Sequence, residues 1–309
     1  MSATTLDTAV PAPDGDRDGR TTAVPVPPPP ARPASAPARE SGPLIRAATS
    51  VTLLGLLLVG FVFYLIAFSS LQEQHFQSSA YRSFANELAN AVAPTGTAPD
   101  GTPVAVLDIP AIGLHQAVVV EGTTGEDLMR GPGHRRDTAL PGQAGVSVVY
   151  ARRSTFGAPF ADLAELRVGD RIYATTGQGR FVYTVNTCGD SGHPVSDPAP
   201  DRLVLVTANS DWIATGTISV GARLDGTAQP NPGGRPATAP GDRALASDTG
   251  GLPALQLWSL ALLAVVTLLV LRGRQWWPRG AVRLVSVPVL GALLCCVYGS
   301  AAVLLPNLY

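Results

Sequence analysis

One Cys/His pair outside the apolar stretches has the types and spacing to do chemistry: Cys188 and His193, in Thr187-Cys188-Gly189-Asp190-Ser191-Gly192-His193-Pro194. A thiol attacks as its thiolate, and a nearby imidazole favours that state, so the pair is a candidate nucleophile and base. The alternative is a lone, partly buried thiol beside a turn histidine. His134, followed by Arg135 and Arg136, is read as stabilising a turn or lying on the surface. Ser210 and Asp211 raise a serine hydrolase, but no Gly-x-Ser-x-Gly elbow accompanies them. Arg152 and Arg153 are either solvated or placed to hold a peptide carboxylate in a two-pronged contact. No Cys/His/Asp cluster has metal-ligand spacing, so no metal and no cofactor is expected.

The elements that must position these residues are short strands. Val104-Ala105-Val106-Leu107-Asp108-Ile109, Gln116-Ala117-Val118-Val119-Val120 and Val146-Ser147-Val148-Val149-Tyr150 are β-branched runs with turn residues between them. Arg171-Ile172-Tyr173-Ala174-Thr175, Phe181-Val182-Tyr183-Thr184-Val185, Leu203-Val204-Leu205-Val206 and Thr217-Ile218-Ser219-Val220 complete the set. Seven or eight strands in residues 103–224 predict an all-β barrel or sandwich, with short helical pieces at 125–129 and 161–166.

Around this domain the composition changes sharply. Residues 1–43 are rich in Pro, Ala and Asp and predict a disordered tail. Residues 44–70 hold an uncharged apolar run, 47–68, about as long as the ~20 residues a spanning helix needs. A cleaved signal peptide is the alternative, but the run is long and a tail precedes it. Residues 71–102 predict a juxtamembrane helix, with Phe76, Ala80, Phe84, Leu88 and Val92 at four-residue spacing, then a linker. A Pro/Gly linker follows the barrel at 225–251, then apolar runs at 252–271 and 284–305.

Between the last two runs, residues 272–283 carry four arginines and the Trp276-Trp277 pair. The positive-inside rule places this loop in the cytoplasm, and the N-terminal tail too, because Arg39 and Arg46 precede the first apolar run whereas Glu73 follows it. The expectation is a three-span plasma-membrane protein with residues 71–251 outside. All 22 basic residues are arginine, and the net charge of −1 gives no basis for nucleic-acid binding. Cys295 and Cys296 lie in the last apolar run, which leaves Cys188 without a disulfide partner in the outer domain.

Several phrases, in order, resemble the sortases, cysteine transpeptidases of the bacterial surface. They are Leu107-Asp108-Ile109-Pro110-Ala111-Ile112-Gly113-Leu114, Glu121-Gly122-Thr123 with Gly131-Pro132-Gly133-His134, Thr138-Ala139-Leu140-Pro141-Gly142-Gln143-Ala144-Gly145, and Phe156-Gly157-Ala158-Pro159-Phe160 with Leu163, Leu166 and Gly169-Asp170. The style is similar to the actinobacterial, class E- or D-like members. The resemblance implies a closed β-barrel of about eight strands, here joined to three transmembrane α-helices. It also implies a Cys that attacks a Thr–Gly bond of a sorting signal, a His for proton transfer and an Arg for the oxyanion.

Carried across position by position, the histidine slot holds Arg152, the cysteine slot after Thr207 holds Ala208, and the arginine slot falls at Thr217. A methyl group has no lone pair, and a guanidinium stays protonated and cannot act as a general base. The resemblance with these exchanges implies an inactive homologue whose groove, lined by Arg152, Arg153, Thr207, Ala208 and Trp212, binds a peptide or surface protein. Two alternatives stand beside it. One is an enzyme with Cys188 and His193 as a displaced nucleophile and base. The other is a structural component whose C-terminal spans assemble with another membrane protein; small residues Gly291, Gly299, Ser300, Ala301 and Ala302 permit close helix packing.

Overall fold

A computed structural model describes residues 42–193, 195, 197–211, 214–247, 249–272 and 279–309. Trp212, residues 1–41 of the tail and residues 273–278 of the Arg-rich loop, with its Trp pair, lie outside the described residues. The chain divides into Met1–Ser50, of which residues 42–50 are described as helical, and Val51–Tyr309, which holds every strand.

Eight strands form where the β-branched runs predict them, with one addition: β1 (Pro103–Ile109), β2 (Leu114–Glu121), β3 (Gly133–His134), β4 (Val146–Tyr150), β5 (Arg171–Thr176), β6 (Gly179–Asp190), β7 (Arg202–Ala208) and β8 (Thr217–Asp225). They close into a barrel in the order β1-β2-β3-β4-β7-β8-β6-β5. The expectation of a closed barrel is therefore met, and the sandwich is excluded. Strand β3 has only two residues, too few to leave a pattern in the sequence, yet it bridges β2 in parallel and β4 antiparallel. The two short helical pieces are 3-10 turns, Asp127–Met129 and Leu163–Glu165.

Period-two alternation sorts the side chains of β4 and β7 to two faces. Val149, Leu203 and Leu205 point into the barrel core with Ile109, Ile172, Tyr183 and Val220. Val146, Val148 and Tyr150 on β4 and Val204, Val206 and Ala208 on β7 point outward and form a second apolar cluster. An outward apolar face needs a cover, and other parts of the chain supply it.

Four α-helices precede and follow the strands in the chain: α1 (Gly42–Phe63), α2 (Ser69–Ala89), α3 (Leu252–Arg272) and α4 (Arg279–Val303). A π-helical turn, Tyr64–Phe68, joins α1 to α2. Three helical stretches, Ala47–Ala89, Thr249–Leu271 and Ser286–Val303, are long and apolar enough to cross a membrane. The four-residue spacing in α2 seats Phe84 and Ala80, both buried, against Val106 of β1 and Val118 of β2. Val92, the last residue of the predicted stripe, lies past the helix end and is exposed. Gln77 takes the place of a strand on the open side of β2: its Nε2 donates to the oxygens of Val118 (3.0 Å) and Arg130 (2.8 Å), and its Oε1 accepts from the Val118 N–H (2.7 Å).

Glu73 of α2 is buried beside Gly157, whose left-handed φ of +74° leaves no room for a Cβ against the carboxylate. Burial raises its pKa from the ordinary 4.5 to about 7. The folded chain thus holds this proton more tightly than the unfolded chain. The stability so contributed is complete below about pH 4.5 and declines as pH rises to about 7. Glu73→Gln is expected to flatten the slope of Tm against pH across that window, measured by thermal melts in detergent; an unchanged slope would refute the assignment.

Candidate functional site

The parallel pairing of β4 with β7 brings their C-terminal ends together, with Tyr150 opposite Val206. The Ala151 N–H continues the pairing to the Val206 oxygen (3.1 Å), and the Thr207 hydroxyl closes it by donating to the Ala151 oxygen (2.9 Å). Arg152 and Ala208 are each two residues beyond the Tyr150/Val206 pair. On the other side of β7, antiparallel pairing sets Thr217 opposite Ala208. All three sequence-derived slots therefore converge on one end of the barrel.

Thr217 is engaged elsewhere, however. Its N–H donates to Ser191 Oγ at 2.5 Å, and its hydroxyl lies 3.3 Å from the same oxygen. Ala208 is fully buried, its methyl group within the outward cluster of Leu128, Val148, Tyr150, Val206 and Leu308. The floor that Val206 and Ala208 present outward is thus apolar, and the one β7 hydroxyl at this end, that of Thr207, is spent on the Ala151 oxygen.

Arg152 is the largest fully buried side chain among the described residues. Its guanidinium donates to the Leu128 oxygen (3.2 Å), the Gly125 oxygen (2.9 Å), the Tyr309 main-chain oxygen (3.1 Å) and the Thr155 hydroxyl (3.3 Å). Its plane also lies 4.9 Å from the centre of the Phe156 ring. Burial lowers its pKa to about 9, which still leaves it a cation at neutral pH. A charge so placed depends on having its donors satisfied, since removal from water is costly. The buried state corrects both sequence readings of Arg152: it is neither solvated nor free to clasp a carboxylate side chain, because its donors are already taken by chain oxygens.

Arg153 reaches the other way. Its side chain pairs with Asp211 and lies 3.4 Å from the Ala208 oxygen, while its N–H donates to the Leu308 oxygen (3.1 Å). Ser154 Oγ adds a bond to the Asp211 oxygen (2.9 Å), so residues 153–154 hold the start of the loop after β7. Asp211 is therefore an ion-pair partner, not a member of a serine triad.

The Cys188/His193 pair is not brought to this end. Cys188 on β6 lies opposite Val220 of β8, which in turn faces Leu205, three residues short of Ala208. Its thiol points at the Leu166 oxygen (3.7 Å), and burial followed by the Asp170 charge raises its pKa, the reverse of activation. The His193 side chain is 94% exposed and faces Asp190 (3.4 Å). His134 is buried in a fixed network: Nδ1 to Glu121 Oε2 (3.0 Å), Nε2 to the Ala139 oxygen (2.8 Å), with Thr138 Oγ1 at 3.1 Å. Both ring nitrogens are occupied, in keeping with a turn-stabilising role. Among the described residues no group of His, Cys, Asp and Glu could hold a metal ion.

Two covers on the site were missed by sequence reasoning. The segment between β8 and α3 lies against the barrel: Gln229 exchanges main-chain bonds with Gly142 and Ala144, the buried Asp242 accepts from Thr123 and Arg136, and Ala244 and Leu245 pack on the outward cluster. The residues after α4 then cross the site, with Asn307 and Leu308 fully buried. The one local signal was Pro306 ending an apolar run just before Asn307-Leu308-Tyr309.

Arg152→Met is expected to strand the Gly125 and Leu128 oxygens and to leave the Tyr309 oxygen with the Thr155 hydroxyl alone, at a cost of about 3 kcal/mol. Arg152→Lys should recover only part of it, since a point-charge ammonium cannot reproduce the planar fork. Thermal melts of both variants in detergent check this, and wild-type stability in Arg152→Met would contradict the role of the guanidinium.

Comparison with known proteins gives a consistent set of similarities. A family model described as a Sortase domain matches residues 107–215. Sortase D of Bacillus subtilis (strain 168) is 34% identical over 80 residues, covering 26% of this chain and 38% of that protein. Sortase A of Bacillus anthracis is 25% identical over 108 residues, covering 34% and 51%. The chain thus spans between about a third and a half of the length of these two relatives. The solved structure of sortase E from Streptomyces avermitilis is 34% identical, with 45% of this chain and 97% of that one covered and a TM-score of 0.36.

Proposed function

The chain belongs to the sortase family, and from that premise we propose that it is a membrane-anchored, non-catalytic member whose outward groove holds a peptide segment. The observation that carries the reading is the pairing of Ala208 with a buried Arg152. Where the family chemistry calls for a thiol and an imidazole, this groove has a methyl floor and a cation whose donors go to main-chain oxygens. Such a site can bind a peptide by its backbone and an apolar side chain. It has no atom on which to build a thioester.

In this reading the three apolar helices anchor the barrel, with the N-terminal tail and the Arg-rich loop in the cytoplasm and the barrel outside, as the arginine distribution predicts. The external partner is a peptide or a surface protein presenting an extended segment. A displaced nucleophile at Cys188 has no support from its raised pKa or its position two strands from the groove.

Two measurements on the full chain in detergent test the proposal. Incubation with a cell-wall sorting peptide should add no mass to the wild-type chain, whereas Ala208→Cys combined with Arg152→His should yield a trapped acyl adduct. An adduct on the wild-type chain would overturn the reading. Peptide binding is then measured on Leu308→Asp, in which a buried charge expels the covering tail at a cost of several kcal/mol. Saturable binding there is expected, and its absence would remove the peptide-holding function.

A further inference from the structure

The segment that crosses the groove is bound in the way an external peptide would be. Leu308 is fully buried and sits in the outward cluster with Ala208, Val206, Tyr150, Val148 and Leu128. Its main-chain oxygen accepts from the Arg153 N–H (3.1 Å). The next main-chain oxygen, that of Tyr309, accepts from Arg152 (3.1 Å) and from the Thr155 hydroxyl (2.6 Å). The Tyr309 phenol oxygen accepts from the Ala214 N–H (2.7 Å), which ties it to the loop after β7. On the other side, the Asn307 N–H donates to the Ala246 oxygen (2.9 Å), and Asn307 Nδ2 donates to the oxygens of Thr123 (2.8 Å) and Arg243 (2.9 Å).

We propose that residues 306–309 are the resident ligand of this groove, a displaceable occupant in cis that α4 delivers and that an external peptide must replace. The inference deepens the peptide-holding reading and rests on it for the identity of the binding surface. Two features favour occupancy that can be exchanged over permanent core packing. First, Asn307 Oδ1 is buried without a hydrogen-bond partner from the chain, a cost of the docked state that departure from the groove relieves. Second, the anchors on the groove itself are two backbone oxygens and the Leu308 side chain, with the Asn307 amide and the Tyr309 phenol beside them, and a different extended chain can supply the same groups.

The same contacts define the competitor. It is an extended peptide with an amide side chain, then a branched apolar residue, then an aromatic one, presenting successive main-chain oxygens to Arg153 and Arg152. Only Leu304 and Leu305 separate the end of α4 from Pro306, so the tail's local concentration is on the order of mM or higher. External ligands are handicapped by that local concentration.

The test uses the full chain in detergent with its three native cysteines changed to alanine. Ala208→Cys with Leu308→Cys should form an intramolecular disulfide on mild oxidation, read from the mass of the joined fragments. In the unmodified chain the Arg153 amide should be protected from hydrogen exchange, and Leu308→Asp should release it. A fluorescent peptide of residues 304–309 should bind Leu308→Asp at least about ten-fold tighter than wild type. Failure of the disulfide together with an unprotected Arg153 amide would overturn occupancy in cis. A disulfide with equal peptide affinity for both chains would overturn the claim of competition. A disulfide and released protection, with no peptide bound by either chain, would leave the tail docked and instead remove the peptide-holding reading on which its role as ligand depends.

Discussion

A single buried cation organises this end of the molecule. The Arg152 guanidinium cannot be left without partners in a dry site, so the surrounding chain must bring oxygens to it. Gly125 and Leu128 come from the segment after β2, Thr155 from the turn after β4, and Tyr309 from beyond the last helix. Phe156 covers its face. Segments far apart in sequence therefore meet at one charge, and the outward face of β4 and β7 is closed as a result.

Barrel topology makes that convergence possible. Because β4 and β7 run in parallel and are hydrogen-bonded neighbours, residues just past both strands emerge side by side. Alternation then places Val148, Tyr150, Val206 and Ala208 on the outer surface. An apolar patch on the outside of a barrel would normally be wetted, but here Leu308, Ala244 and Leu245 cover it.

The legible parts of this architecture were those with local periodicity. The β-branched runs marked seven of the eight strands, and the apolar stretches marked the helices long and apolar enough to cross a membrane. Ordered phrases such as Leu107-Asp108-Ile109-Pro110 identified the barrel. What escaped was long-range and carried by few residues. Strand β3 is too short for a pattern, and Gln77 looks like any polar residue on a helix. Leu308 follows an apolar run, so in sequence it merges with the end of a span. Arg152 presented the sharpest difficulty: an arginine beside a second arginine reads as surface, and only the oxygens gathered from elsewhere reveal a buried role.

Gln77 carries a consequence of another kind. Its carboxamide makes three bonds to main-chain atoms, two with Val118 and one with Arg130, and so behaves as an extra rung on the open side of β2. A rung fixes angle as well as distance. If α2 rolled about its long axis by a single residue's worth of twist, all three bonds would be lost together. The helix leading out of the first apolar stretch therefore has one permitted azimuth, and the barrel rides on it like a key on its shaft, unable to swivel.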